Sequence, residues 1–284
     1  MQVFDRKLIR ARRERASIDA GAHDFLYREV ALMLADRLLD INRGFPLALE
    51  LGARQDILSK ALTGKGGIKM LVAADAAAGM VRNQIFPVVA DEELLPFREN
   101  AFDAVFSNLS LHWVNDLPGA LIQVRRVLKP DGVFLAALFG GETLKELRLA
   151  MMEAELDVFG GMSPRISPFI DLRDMGALLQ RAGFALPVVD FETLRVSYPD
   201  VNALMRDLKG MGETNAISAR IRQGGSRRFF KKVLDFYPKD EDGRITATFE
   251  VVYLNGWSPH ESQQKPLKPG AAEFRLAQVL GTDE

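Results

Sequence analysis

Three short apolar runs in the first third of the chain each end on an acid, and this limits the available folds more than any other feature. Residues 46–51 carry Glu50 near their end and are followed by Gly52; residues 70–74 stop at Asp75; residues 86–90 stop at Asp91. Runs this short suit strands buried on both faces. Residues 101–107 and 133–139 repeat the pattern. Helical spacing intervenes over 56–62, with Asp56 as the expected N-cap, and over 118–128, closed by Lys129-Pro130-Asp131-Gly132. A further helix is expected over 24–40, where Phe25, Val30, Leu34, Leu38 and Ile41 recur near the helical period. Strand and helix in alternation predict an α/β fold, a mostly parallel sheet with helices on both faces. Ligands of such sheets sit beyond the carboxyl ends of the strands. Glu50, Asp75 and Asp91 are therefore the first candidates for a site.

The second half is less regular. Helices are expected over 142–159, 172–181 and 201–209. Strands are expected over 184–196, where Pro187 marks an edge or a bulge, and over 245–257. The organisation predicted is an N-terminal helical segment (1–44), a ligand-binding domain (45–196) and a C-terminal extension (197–284) packed on its substrate side.

The formal charge is nearly balanced, 37 Lys and Arg against 38 Asp and Glu, so a protein that coats nucleic acid is excluded and no nucleic acid partner is expected. Cysteine is absent, which removes disulfides, thiolate metal sites and cysteine nucleophiles. The three histidines lack any metal-ligand spacing, so no metal is expected. The longest apolar run, 133–139, is far below the roughly 20 residues of a membrane span. Two segments are locally basic. Residues 1–15 hold six basic residues against two acids, a poor fit to a transit peptide. Residues 220–232 hold six basic residues and no acid. The second segment is either a docking surface for an anionic membrane, RNA or an acidic protein partner, or a solvated face that pairs with the acids of 235–242.

Asp91-Glu92-Glu93-Leu94-Leu95-Pro96-Phe97 is followed by Phe102-Asp103-Ala104-Val105, Leu111-His112-Trp113 and Leu128-Lys129-Pro130-Asp131-Gly132. In this order and spacing, over residues 45–195, the chain resembles the class I S-adenosylmethionine-dependent methyltransferases. The resemblance implies a Rossmann-like sheet, mostly parallel with an antiparallel strand, and S-adenosylmethionine as cofactor. Each acid then has a task. Glu50 would hold the methionyl ammonium beside Gly52. Asp75, 23 residues after Gly52, would accept the ribose hydroxyls, and Asp91 with Glu92 the adenine amino group. Ser107 and Asn108 would line the methyl-transfer side. Taken singly, such acids equally well cap the next helix or face solvent. His112, beside Trp113, is either a general base near substrate or a packed residue.

Further stretches narrow the resemblance. They include Val3-Phe4-Asp5-Arg6, Ser110-Leu111-His112-Trp113-Val114-Asn115-Asp116, Phe139-Gly140-Gly141-Glu142, Ile166-Ser167-Pro168-Phe169, Met211-Gly212-Glu213-Thr214-Asn215 and Gly256-Trp257-Ser258-Pro259-His260. These look like the family of mitochondrial complex I assembly factor 5 and its bacterial relatives. Malonyl-carrier-protein methyltransferases share the core without this tail. The family implies a protein substrate, a peripheral-arm subunit of NADH:ubiquinone oxidoreductase, and arginine hydroxylation or methylation. The alternatives are a non-catalytic assembly chaperone and a carrier-protein or small-molecule methyltransferase. Because the start motif begins at Met1, a bacterial cytoplasmic protein is expected, peripheral at the inner membrane through its basic segments, or a matrix protein if eukaryotic.

The first loop departs from the family pattern. It reads Glu50-Leu51-Gly52-Ala53-Arg54-Gln55-Asp56, with one glycine where three are usual. Glycines there let backbone approach the ligand. Arg54 would fill the methionyl site unless it swings out or pairs with the ligand carboxylate, and Asp56 would repel that carboxylate or cap the following helix.

Overall fold

The computed structural model describes residues 2–169, 172–221 and 225–264. The elements, in chain order, are α1 Arg6–Ala16, α2 Phe25–Leu39, β1 Leu47–Leu51, α3 Ile57–Ala61, β2 Met70–Asp75, α4 Ala78–Val81, β3 Phe86–Val89, β4 Phe102–Asn108, α5 Leu117–Val127, β5 Leu128–Phe139, α6 Lys145–Phe159, α7 Leu172–Arg181, β6 Ala185–Tyr198, α8 Val201–Gly210, α9 Arg227–Phe236 and β7 Ile245–Trp257. The strands form one sheet in the order β3-β2-β1-β4-β5-β7-β6. The first five are parallel, β7 runs antiparallel to β5, and β6 antiparallel to β7. The α/β class and the mostly parallel sheet with helices on both faces are thus as the sequence predicts.

Burial explains the order. β1, β4 and the second half of β5 are buried almost residue by residue, as interior strands covered on both faces must be. β3, with Pro87 and mostly exposed side chains, lies at one edge. At the other edge β6 alternates along its 14 residues, and its register shifts between Ala185 and Val188, around Pro187. β7, from the C-terminal part of the chain, is inserted between β5 and β6.

One face of the sheet packs α2, α3, α6, α8 and α9 through residues such as Leu34, Leu58, Leu147, Leu204 and Phe229. The other packs α5 and α7 through Leu121, Val124, Met175 and Leu179. α1 stands apart: its buried residues are Ile9, Arg13 and Ala16 alone. Among the described residues no helix is long and apolar enough to cross a membrane.

Candidate functional site

The chain leaves β1 outward to β2 and β3, then returns at β4 to lie beside β1. Glu50, Gly52, Asp75, Ser107 and Asn108 all arrive at the carboxyl ends of these strands. Glu50 is buried in the strand that carries it, and its Oε2, with Ser107 Oγ and Asn108 Oδ1, has no hydrogen-bond partner among the described residues. Burial pushes the Glu50 carboxyl up to about 8, against the Arg54 amide that donates to it and helped by the nearby charge of Asp75. Buried polar atoms without partners are costly alone. The methionyl end of S-adenosylmethionine is the group the sequence predicts for this half of the crevice. Gly52 adopts φ +72°, and a Cβ there would fall 2.0 Å from Ser110 Oγ, so glycine is required.

The other half is already filled by the chain itself. Arg13 of α1 reaches into it and donates to Asp75 Oδ2 at 2.9 Å, Glu92 Oε1 at 2.6 Å and Ser110 Oγ at 2.8 Å. Arg6, two turns earlier on the same face, donates to Asp91 Oδ1 at 2.7 Å, to Glu92 and to the Trp113 carbonyl. Burial disfavours the charge on Glu92, but Arg13 and Arg6 outweigh it and hold that carboxyl well below the usual range. Asp75 is pushed up by burial more than Arg13 pulls it down. Arg13 is only 5% exposed, and its guanidinium is the counterion of the cluster. The groups expected to accept from ribose and adenine therefore accept from guanidinium.

The altered loop buries its arginine. The Arg54 guanidinium stacks 3.6 Å from the Tyr27 ring centroid and donates to the Met211 carbonyl. Gln55 takes the positive φ of +50° that a glycine usually supplies here, and its side-chain amide donates to Ser17 at the end of α1. Asp56 does stand at the N-cap of α3, but its carboxylate accepts no backbone amide there and pairs with Lys60 instead. The expected side-chain cap is therefore absent.

Glu213, from the segment after α8, is the centre of a second buried network. Its carboxylate accepts from Tyr27 Oη at 2.6 Å and Trp113 Nε1 at 2.9 Å and lies 3.1 Å from His112 Nε2. Burial opposes its charge, yet His112, Arg54 and the Tyr27 hydroxyl lower it to about 2. Beyond it lies a cavity of about 230 Å³ with apolar walls, among them Leu147, Met151, Phe169 and Leu208, and with Ser167 in its lining. His112 is fully packed, its ring 4.7 Å from Phe139, while its Nδ1 has no partner among the described residues. Of the two readings offered by the sequence, the packed one describes its surroundings.

Motifs scattered in sequence converge on α1. Phe4 stacks edge-on to Trp113 and pairs through its backbone with the Asn115 side chain. Arg12 donates to the carbonyls of Thr214 and Asn215, and Phe4 bridges to Ile217. Sequence reasoning missed Arg6, Arg13, Tyr27, Ser110 and Glu213 as site residues. A signal for Arg13 was present, since Arg6, Ile9, Arg13 and Ala16 share one helical face on which a buried charge stands out. None marked Glu213. As for residues 220–232, no ion pair joins them to 235–242 among the described residues: Lys232 pairs with Asp157 and Arg220 with Asp5. Arg222 and the tail from residue 265, with Pro266 and Pro269, lie outside the described residues.

Comparison with known proteins follows this geometry. Residues 49–136 match the methyltransferase domain family. Arginine-hydroxylase NDUFAF5, mitochondrial, of Danio rerio is 43% identical over 289 residues, spanning 98% of this chain and 90% of the relative. A malonyl-[acyl-carrier protein] O-methyltransferase of Gallionella capsiferriformans is 34% identical, spanning 90% of this chain and 92% of the relative. In fold, the YcgJ protein of Bacillus subtilis superposes with a TM-score of 0.57 at 17% identity, covering 81% of this chain and 98% of that one.

Proposed function

The chain belongs to the family of the arginine-hydroxylase NDUFAF5 proteins, and on that premise we propose that it modifies an arginine of a protein partner during assembly of complex I. The partner is a peripheral-arm subunit, met in the cytoplasm of a bacterium or in the matrix of a mitochondrion. One observation carries this reading. Relatedness to NDUFAF5 covers 98% of the chain and so runs past the matched methyltransferase domain at residues 49–136.

S-adenosylmethionine binding is part of the proposal. Its methionyl end would lie against Glu50, Gly52, Ser107 and Asn108, and its nucleoside toward Asp75, Asp91 and Glu92. When bound, the cofactor supplies an electrophilic methyl group. The chain's own residues bind and orient. Glu213 fixes the His112 ring by its Nε2 side, leaving Nδ1 to hold a proton, and the apolar walls beyond keep water from the substrate. A second reading, an assembly chaperone that has lost the cofactor, is favoured by the engagement of Asp75 and Glu92 with Arg13.

The test is incubation with the peripheral-arm subunits of the same source, with and without S-adenosylmethionine, under air and with a reductant, followed by tandem mass spectrometry of the subunits. Gain of one oxygen, or of one methylene, on a single arginine is expected. Unmodified arginines under every condition would overturn the enzymatic reading.

A further inference from the structure

The nucleoside half of the crevice and α1 cannot be occupied together. Arg13 lies among Asp75, Glu92 and Ser110, with all three within 2.9 Å of its guanidinium. Ser110 closes on the turn at Gly52 and also donates to Glu92 Oε1 at 2.8 Å, so no space for a purine and ribose remains between them. From this we infer that α1 is a strap that closes the crevice by placing two guanidinium groups where an adenosyl ligand would bind, and that ligand entry requires the strap to swing away. The inference rests on the cofactor part of the reading above, not on the arginine modification.

The strap is built for release. It buries one aliphatic residue of size, Ile9, besides Ala16 and Arg13. Its other ties are polar: Arg6 to Asp91 and Glu92, Arg12 to the 214–215 carbonyls, Glu14 to the Gly79 amide and Gln55 to the Ser17 carbonyl. Partly exposed ion pairs of this kind weaken with salt. The tethers also fix the hinge. The amino end is pinned to Trp113, Asn115 and Ile217, next to the Glu213 network, so a partner that rearranges that network loosens the same helix.

The absence of cysteine allows a direct test on the full chain. A Cβ built at Gly79 lies 3.0 Å from Ser17 Cβ, about half an ångström short of the usual range for a disulfide, so the bridge closes once α1 and α4 move apart by that much. The double variant Ser17→Cys with Gly79→Cys, its oxidation checked by thiol titration, locks the carboxyl end of α1 without touching either arginine. Calorimetric titration with S-adenosylmethionine is expected to show no binding to the oxidised protein and recovery on reduction. Amide exchange over residues 6–16 should quicken when ligand is added to the reduced form. Arg13→Gln, which keeps two donors and removes the charge, is expected to bind at least tenfold more tightly than the parent. Equal affinity of the oxidised and reduced forms, or no binding by the reduced form and Arg13→Gln alike, overturns the strap. The mass-spectrometric assay of arginine modification is unaffected by either failure.

Discussion

Replacing Glu213 by glutamine tests the centre of the second buried network. The carboxylate serves three buried donors, the Tyr27 hydroxyl, the Trp113 indole and the His112 ring. A glutamine keeps one acceptor oxygen and turns an amide donor toward the others. At about 1.5 kcal/mol for each of two lost charge-assisted contacts, the substitution costs about 3 kcal/mol. The acidity gives a separate estimate. Glu213 is held at about 2, against 4.5 for an unperturbed glutamate, which also corresponds to about 3 kcal/mol of folding free energy. Because the folded-state value lies below the unfolded one, this contribution is complete above pH 4.5 and is lost as pH falls through 2. Urea unfolding followed by the fluorescence of Trp113 and Trp257, the two tryptophans, and by circular dichroism reads the difference between parent and variant. Near neutrality the parent should be more stable by about 3 kcal/mol, and the gap should shrink steadily below pH 4.5. A gap under about 1 kcal/mol near neutrality, or one that does not change with acid, would refute the hub.

Two further substitutions test the crevice. Glu50 has the opposite sign: its folded-state value, about 8, lies above the unfolded 4.5, so ionisation costs stability as pH rises through that interval. Glu50→Gln should match the parent in mild acid and exceed it by about 5 kcal/mol in alkali, read from thermal unfolding at both ends; a variant less stable in alkali contradicts the unpartnered acid. Gly52→Ala meets Ser110 Oγ and Cβ at 2.0 and 2.1 Å and a φ of +72°, and should lower stability by about 3 kcal/mol, part of which Ser110→Gly restores. Failure of the second change to restore any of the loss in a thermal melt would place the strain elsewhere.

The strands were legible because interior parallel strands announce themselves. β1 and β4 are short, mostly apolar runs, and β7 has the bounds its alternation predicts, Ile245–Trp257. Its position in the sheet was not legible. Period and composition say that a strand is half-covered, and they do not say which neighbours it pairs with, so the insertion of β7 between β5 and β6 had to come from the structure. The start of β5 was misjudged for a local reason. Lys129-Pro130-Asp131-Gly132 is turn chemistry by composition, yet the backbone enters the strand at Leu128 and uses Asp131 at φ +62° as an irregularity within it.

The acids of the crevice were legible from position alone, since a strand end in a parallel sheet is where a ligand meets side chains. Their partners were not, because Arg13 stands 62 and 79 residues from the carboxylates it bonds. Electrostatics nevertheless required such partners. Asp75 and Glu92 share one buried site, and two carboxylates at that distance cannot both stay ionised without a cation or a set of donors between them. A methyltransferase-like crevice solves this with ligand hydroxyls and amines when loaded; here α1 solves it with guanidinium groups. The basic bias of residues 1–15, a poor fit to a transit peptide, is in part the counter-charge of this cluster. Guanidinium against carboxylate across the crevice is thus the attraction that holds α1 in place, and its central pairs, those of Arg13, are buried where salt screens them little.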